Sequence, residues 1–138
     1  MRRMLLHAPL LLLAATIMAC GSTGAAVSSQ TIVLNQDSAG KTVSAHVGDT
    51  IQVKLEESFP LPGSSLIWDV STSAPSVLKL SKVSRDPAER PRKGTVAYTA
   101  EFAATGAGSA TLFLRGSRTC EAMPTCQQEN LTITISVS

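Results

Sequence analysis

From residue 31 onward, apolar and polar residues alternate in short runs separated by turn-forming residues. The cleanest run is LTITISV (Leu131–Val137), where Leu131, Ile133, Ile135 and Val137 share one side and Thr132, Thr134 and Ser136 the other. A period of two is the mark of a strand with one face buried. TIVLN (Thr31–Asn35), KTVSAHV (Lys41–Val47), SVLKLSKV (Ser76–Val83), TVAYTAEF (Thr95–Phe102) and SATLFLR (Ser109–Arg115) show the same alternation. So do Ile51, Val53 and Leu55, and then Leu66, Trp68 and Val70. Asp37-Ser38-Ala39-Gly40, Val47-Gly48-Asp49 and Thr105-Gly106-Ala107-Gly108 punctuate the joins. No run past residue 30 keeps a helical period. The pattern predicts an all-β chain, an antiparallel β-sandwich of seven to eight strands.

One join differs from the others. Between the runs at Ile51–Leu55 and Leu66–Val70 lie Pro60, Pro62, Gly63, Ser64 and Ser65, which are expected to end both strands and form a stiff exposed loop. A stiff loop held between two strands presents backbone to a partner, so the sequence points to recognition before catalysis. Trp68, the sole tryptophan, falls on the apolar side of its strand and is expected to support the core. The inter-sheet cysteine pair of antibody domains is missing, so the expected sandwich is immunoglobulin-like only.

The N-terminal residues carry a different pattern. Arg2 and Arg3 precede an apolar stretch, Leu5–Ile17, which ends in Ile17-Met18-Ala19-Cys20-Gly21. The stretch is too short for a stable membrane span and fits a cleaved signal peptide over residues 1–19. Its end resembles a bacterial lipobox, which implies that Cys20 becomes the lipidated first residue of an exported protein anchored to the cell envelope. The small polar residues that follow make 20–30 a tether, leaving 31–138 as one folded domain. The residue after Cys20 is not aspartate, which points to the outer membrane or cell surface.

Cleavage also changes the charge. The full sequence has 12 basic and 10 acidic residues, and losing Arg2 and Arg3 leaves ten of each. A neutral chain lacks the electrostatic support that nucleic-acid binding needs. Arg85, Arg90, Arg92 and Lys93 nonetheless cluster in one segment, with Asp86 and Glu89 between them. That segment is either a solvated loop or a surface for an anionic partner. Cys120 and Cys126 form an isolated pair, which in an exported protein is expected to close a disulfide worth about 2 kcal/mol. A metal pair or two free thiols are the alternatives, and a zinc site would need further ligands when His46 is the only histidine past residue 19.

Catalytic chemistry finds few residues to use. A histidine-dependent hydrolase would have to rely on His46, which sits among polar residues before a turn. Glu56 and Glu57 are adjacent on a strand and point to opposite faces, so they make a poor acid/base pair. No phosphate loop or calcium loop is present. The sequence predicts a protein that is not an enzyme and needs no cofactor.

The order of parts resembles the chagasin-type inhibitors of papain-like cysteine proteases. These are immunoglobulin-like sandwiches in which three loops at one end form a wedge. A family loop of the form NPTTG, followed two residues later by Trp, falls in register with Leu61-Pro62-Gly63-Ser64-Ser65 and Trp68. Pro62 and Trp68 match, and Ser64 stands for the second threonine. Leu61, Gly63 and Ser65 replace the asparagine, the first threonine and the glycine. The family's GxGG loop would fall at Pro91-Arg92-Lys93-Gly94, where Gly94 matches. Its RPW loop would fall at Arg115-Gly116-Ser117, where Arg115 matches and the aromatic is missing.

The resemblance implies a mechanism and a partner. The loop Leu61–Ser65 would enter the substrate cleft of a papain-like cysteine protease and block its catalytic cysteine without being cleaved. Segments Arg90–Gly94 and Arg115–Cys126 would straddle the cleft, and the domain would act as a monomer. A loop already ordered before binding loses little entropy on docking. The alternative is a non-inhibitory immunoglobulin-like envelope module that serves adhesion or complex assembly with the same loops. A small-ligand carrier is disfavoured, because so few aromatics leave little room for a pocket.

Overall fold

The computed structural model describes residues 28–61, 64–120 and 128–138. Eight strands form in chain order: β1 (Thr31–Leu34), β2 (Thr42–Ala45), β3 (Thr50–Leu61), β4 (Ser64–Thr72), β5 (Leu78–Asp86), β6 (Gly94–Ala104), β7 (Gly108–Cys120) and β8 (Glu129–Val137). Their hydrogen-bonded order is β2-β8-β7-β4-β3-β6-β5, with β1 beside β3. Along β3 and β4 the pairing holds only at Ser58↔Leu66 and Leu61↔Ser64, with an irregularity between. Beyond that tip the two strands part, so the path folds into two layers. One layer is β1-β3-β6-β5 and the other β4-β7-β8-β2, an immunoglobulin-type sandwich.

Alternation builds the core between the layers. Ile51, Val53 and Leu55 from β3 meet Tyr98, Ala100 and Phe102 from β6 on one side. Trp68 and Val70 from β4, Leu112 and Leu114 from β7, and Ile133 and Ile135 from β8 supply the other. All of these are buried. Their outward neighbours, such as Lys54, Thr99 and Thr132, stay polar, which gives each sheet one dry face and one wet face.

The eight-stranded, all-β, immunoglobulin-like sandwich agrees with the sequence expectation, except that two of its pairings are parallel. β1 runs parallel to β3, and β2 parallel to β8. These short strands are one N-terminal segment that changes layers midway. Asn35 caps the three-residue 3-10 turn Gln36–Ser38, accepting from the Asp37 N–H, and Gly40 turns the chain at φ 75. Alternation reports burial but not strand direction, so the switch left no mark in it.

Buried Asp49 fixes the place where the described chain enters. It accepts hydrogen bonds from the backbone N–H groups of Gln30 at 3.0 Å and His46 at 2.8 Å. These two donors hold its carboxyl below the usual aspartate range. The chain therefore enters at the foot of β3, at the opposite end from the β3–β4 tip.

Candidate functional site

Register brings three connections to one end of the sandwich. Leu61 pairs with Ser64 across the two-residue β3–β4 connection. Phe59 of β3 pairs with Gly94, the first residue of β6, so the β5–β6 connection 87–93 arrives beside it. Ser64 of β4 pairs with Cys120, the last residue of β7, so the β7–β8 connection leaves from there too. Three strand pairings thus gather three connections that lie far apart in sequence.

The first connection is shorter than the sequence suggested. β3 continues through Pro60 to Leu61 and β4 starts at Ser64, so Pro60, Ser64 and Ser65 are strand residues. Pro60 is tolerated because the ladder to β6 ends at Phe59, and a missing N–H there breaks nothing. The Ser65 and Thr119 hydroxyls meet at 2.7 Å and tie β4 to β7 just below the tip. Pro62 and Gly63 lie outside the described residues, as do the side chains of Leu61 and Ser64.

In the second connection, Arg92 and Lys93 are exposed. Gly94 follows at φ 130, a backbone region that L side chains rarely adopt, so glycine is suited to this corner. Arg90 is also exposed, and Pro87 and Pro91 restrict the chain on either side of it.

The third assignment is corrected. Arg115, Gly116 and Ser117 lie inside β7, opposite Asp69, Trp68 and Ile67 of β4, and form no loop. Gly116 is buried, and a Cβ there would come within 3.0 Å of the Trp68 ring and of Leu66 Cδ1. This glycine is a seat for the indole rather than a turn, and the strand runs on through it. The third connection is therefore 121–127, outside the described residues. Cys126, the Cys120 side chain, Cys20 and the segment 1–27 also lie outside them.

Trp68 is 1% exposed, and its indole Nε1 donates to the Glu56 carbonyl at 3.0 Å. Beneath the tip, sequence reasoning missed a buried pair. Glu57 is fully buried and accepts from Arg85 Nε and Nη2, each at 3.0 Å. Arg85 also lies 4.8 Å from the Tyr98 ring centre. The hydrogen-bonded Glu57 carboxylate makes Arg85 hold its proton more tightly than a free arginine. Burial, and then the charge of Asp69, push the Tyr98 hydroxyl above its ordinary value. Parity was the available signal: Glu57 continues the inward series Ile51, Val53, Leu55.

Among the described residues no three His, Cys, Asp or Glu side chains gather to hold a metal. An open hollow of about 300 Å³ on the outer face of the first layer is lined by residues that include Asp37, Lys54 and Glu56. It is distinct from the loop end. What the described part of the loop end offers is exposed cations on a core-anchored base.

The sequence matches no protein-family model and no curated protein. Solved structures do share its fold. The cysteine protease inhibitor EhICP2 from Entamoeba histolytica aligns over 80% of this chain and 97% of its own, with TM-score 0.58 and 14% identity. Amebosin aligns over 80% of this chain and 99% of its own, with TM-score 0.55 and 16% identity. PbICP-C, solved in complex with falcipain-2, aligns over 81% of this chain and 94% of its own, with TM-score 0.51 and 13% identity.

Proposed function

We propose that this chain is an exported, lipid-anchored inhibitor of papain-like cysteine proteases. The observation that carries the proposal is the convergence of three connections at one end of a sandwich that shares its fold with cysteine protease inhibitors. The tip Leu61–Ser64 would enter the substrate cleft, with 87–93 and 121–127 on either side. An inhibitor of this kind needs no catalytic group. It needs a tip that keeps its shape, and the Ser65–Thr119 contact and buried Trp68 support such a tip. A bridge between Cys120 and Cys126 would stiffen the third connection in the same way.

The place where the described chain enters supports the same reading. The described chain enters at Ser28–Gln30, at the end opposite the tip. A lipid on Cys20 would then leave the three connections facing away from the membrane. Titrating papain-like proteases with the chain from Cys20 onward tests the function, and competitive loss of activity near one-to-one stoichiometry is the expected result. No loss at high micromolar inhibitor would refute it.

One observation favours a second reading. Arg115 is inside β7, so the one residue matching the third family loop is absent from that connection. The same end would then serve a non-protease envelope partner in adhesion or assembly. Pull-down from envelope extracts that retains one such partner, with no protease inhibited, would establish it.

A further inference from the structure

The three connections contain no aromatic residue. The chain has three Phe, one Trp and one Tyr. Phe59, Trp68, Tyr98 and Phe102 are buried, and Phe113 is half-buried within β7. None is free to anchor a partner at the loop end. Among the residue types that dominate interface energies, arginine is the one this end presents.

The cations at that end fall into two sets. Arg85 is bound to Glu57 and Arg118 to Glu129, so both are locally neutralised. Arg90, Arg92 and Lys93 are exposed, and among the described residues no carboxylate lies within 4.0 Å of them. Glu89 is the only acid between Pro87 and Gly94. A chain that is neutral past residue 19 therefore concentrates uncompensated positive charge in one connection beside the tip.

We propose that Arg90, Arg92 and Lys93 are the affinity-setting patch of the loop end and dock on an acidic surface beside the cleft of the target protease. The inference rests on the inhibitor reading above. Oppositely charged surfaces accelerate encounter, and arginine forks pair with carboxylates in two parallel hydrogen bonds. The cis Asp86-Pro87 peptide and Pro91 bracket Arg90, with Arg92 and Lys93 between Pro91 and Gly94. An anionic membrane is the weaker occupant. The described chain enters at the foot of β3, and the nine residue steps from Thr50 to Phe59, which pairs with Gly94, place the patch roughly 30 Å from it.

The test measures association and dissociation rates of the native chain and of R90E/R92E/K93E against papain-like proteases whose cleft rims run from acidic to basic. For acidic rims the native on-rate is expected to fall roughly tenfold from low to high salt. The triple variant is expected to associate at least tenfold more slowly, to lose the salt dependence, and to melt at the native temperature. R90K/R92K should retain the salt dependence but dissociate faster, since lysine lacks the arginine fork. Inhibition that persists with salt-independent, variant-independent rates overturns this inference alone. No inhibition by the native chain overturns the inhibitor reading and this inference with it. Charge-dependent binding to phosphatidylglycerol vesicles, with protease rates unmoved, assigns the patch to lipid and overturns it too.

Discussion

The carboxylate of Glu57 accepts the backbone N–H of Trp68 at 3.1 Å, across the gap that opens where β4 leaves β3. Arg85, held by the same carboxylate, donates to the Trp68 carbonyl at 3.4 Å. Two side chains from the first layer thus occupy both backbone groups of one residue on the free edge of β4, where a neighbouring strand would otherwise bond. An unpaired buried backbone group would be strongly unfavourable, so the ion pair acts as a substitute for the missing strand. It ties β3 and β5 of one layer to β4 of the other, where β4 leaves β3.

Replacing Glu57 with Leu should therefore destabilise the domain by about 3 kcal/mol, because it leaves Arg85 and the Trp68 N–H without a partner. Joining it with Arg85→Met should recover part of that loss, since the stranded charge is removed while the β4 edge stays unbonded. Urea unfolding followed by the fluorescence of the sole tryptophan measures both. Equal loss in the single and double variants would show that the charge pair is incidental.

Gly116→Ala should cost about 1–3 kcal/mol through overpacking against the indole. The Trp68 emission spectrum should shift in the folded state, because the ring must move for the methyl to fit. Ser117→Ala, one residue along β7 and exposed, should change neither stability nor spectrum.

Asp49 gives the domain an acid-sensitive term. Its folded pKa lies below its unfolded value, so the carboxylate stabilises the fold fully above about pH 4 and progressively less as pH falls through the folded value. Asp49→Asn should melt at a lower temperature than the native chain at neutral pH. The difference should shrink below about pH 4, as the native carboxyl takes up its proton. Thermal melts from neutral to strongly acid pH check the sign. A gap that widens with acid would contradict it.

Much of this architecture was legible in the sequence because burial follows parity. Leu131, Ile133, Ile135 and Val137 announced β8, and Trp68 followed the same rule into the core. Parity also puts Glu56 and Glu57 on opposite faces, but it does not show that the inward Glu57 is paired, because Arg85 lies 28 residues away on another strand. The register of the family resemblance puts Gly116 in a loop, whereas here it lies within β7 and makes room for a ring contributed by β4. Pro60 misled for a similar reason: its lack of an N–H matters only where a neighbour needs one. The parallel pairings of β1 and β2 left no trace, since direction depends on a layer change that alternation does not record.

The proposed role of the tip between β3 and β4 is to block a cysteine protease cleft. It is tested most directly by comparing inhibition constants of the native chain and a variant with two glycines inserted between Pro62 and Gly63, against the same papain-like protease. The expected result is tight competitive inhibition by the native chain, and at least tenfold weaker inhibition by a variant whose melting temperature is almost unchanged. Absence of inhibition by both, or equal inhibition by both, would contradict it.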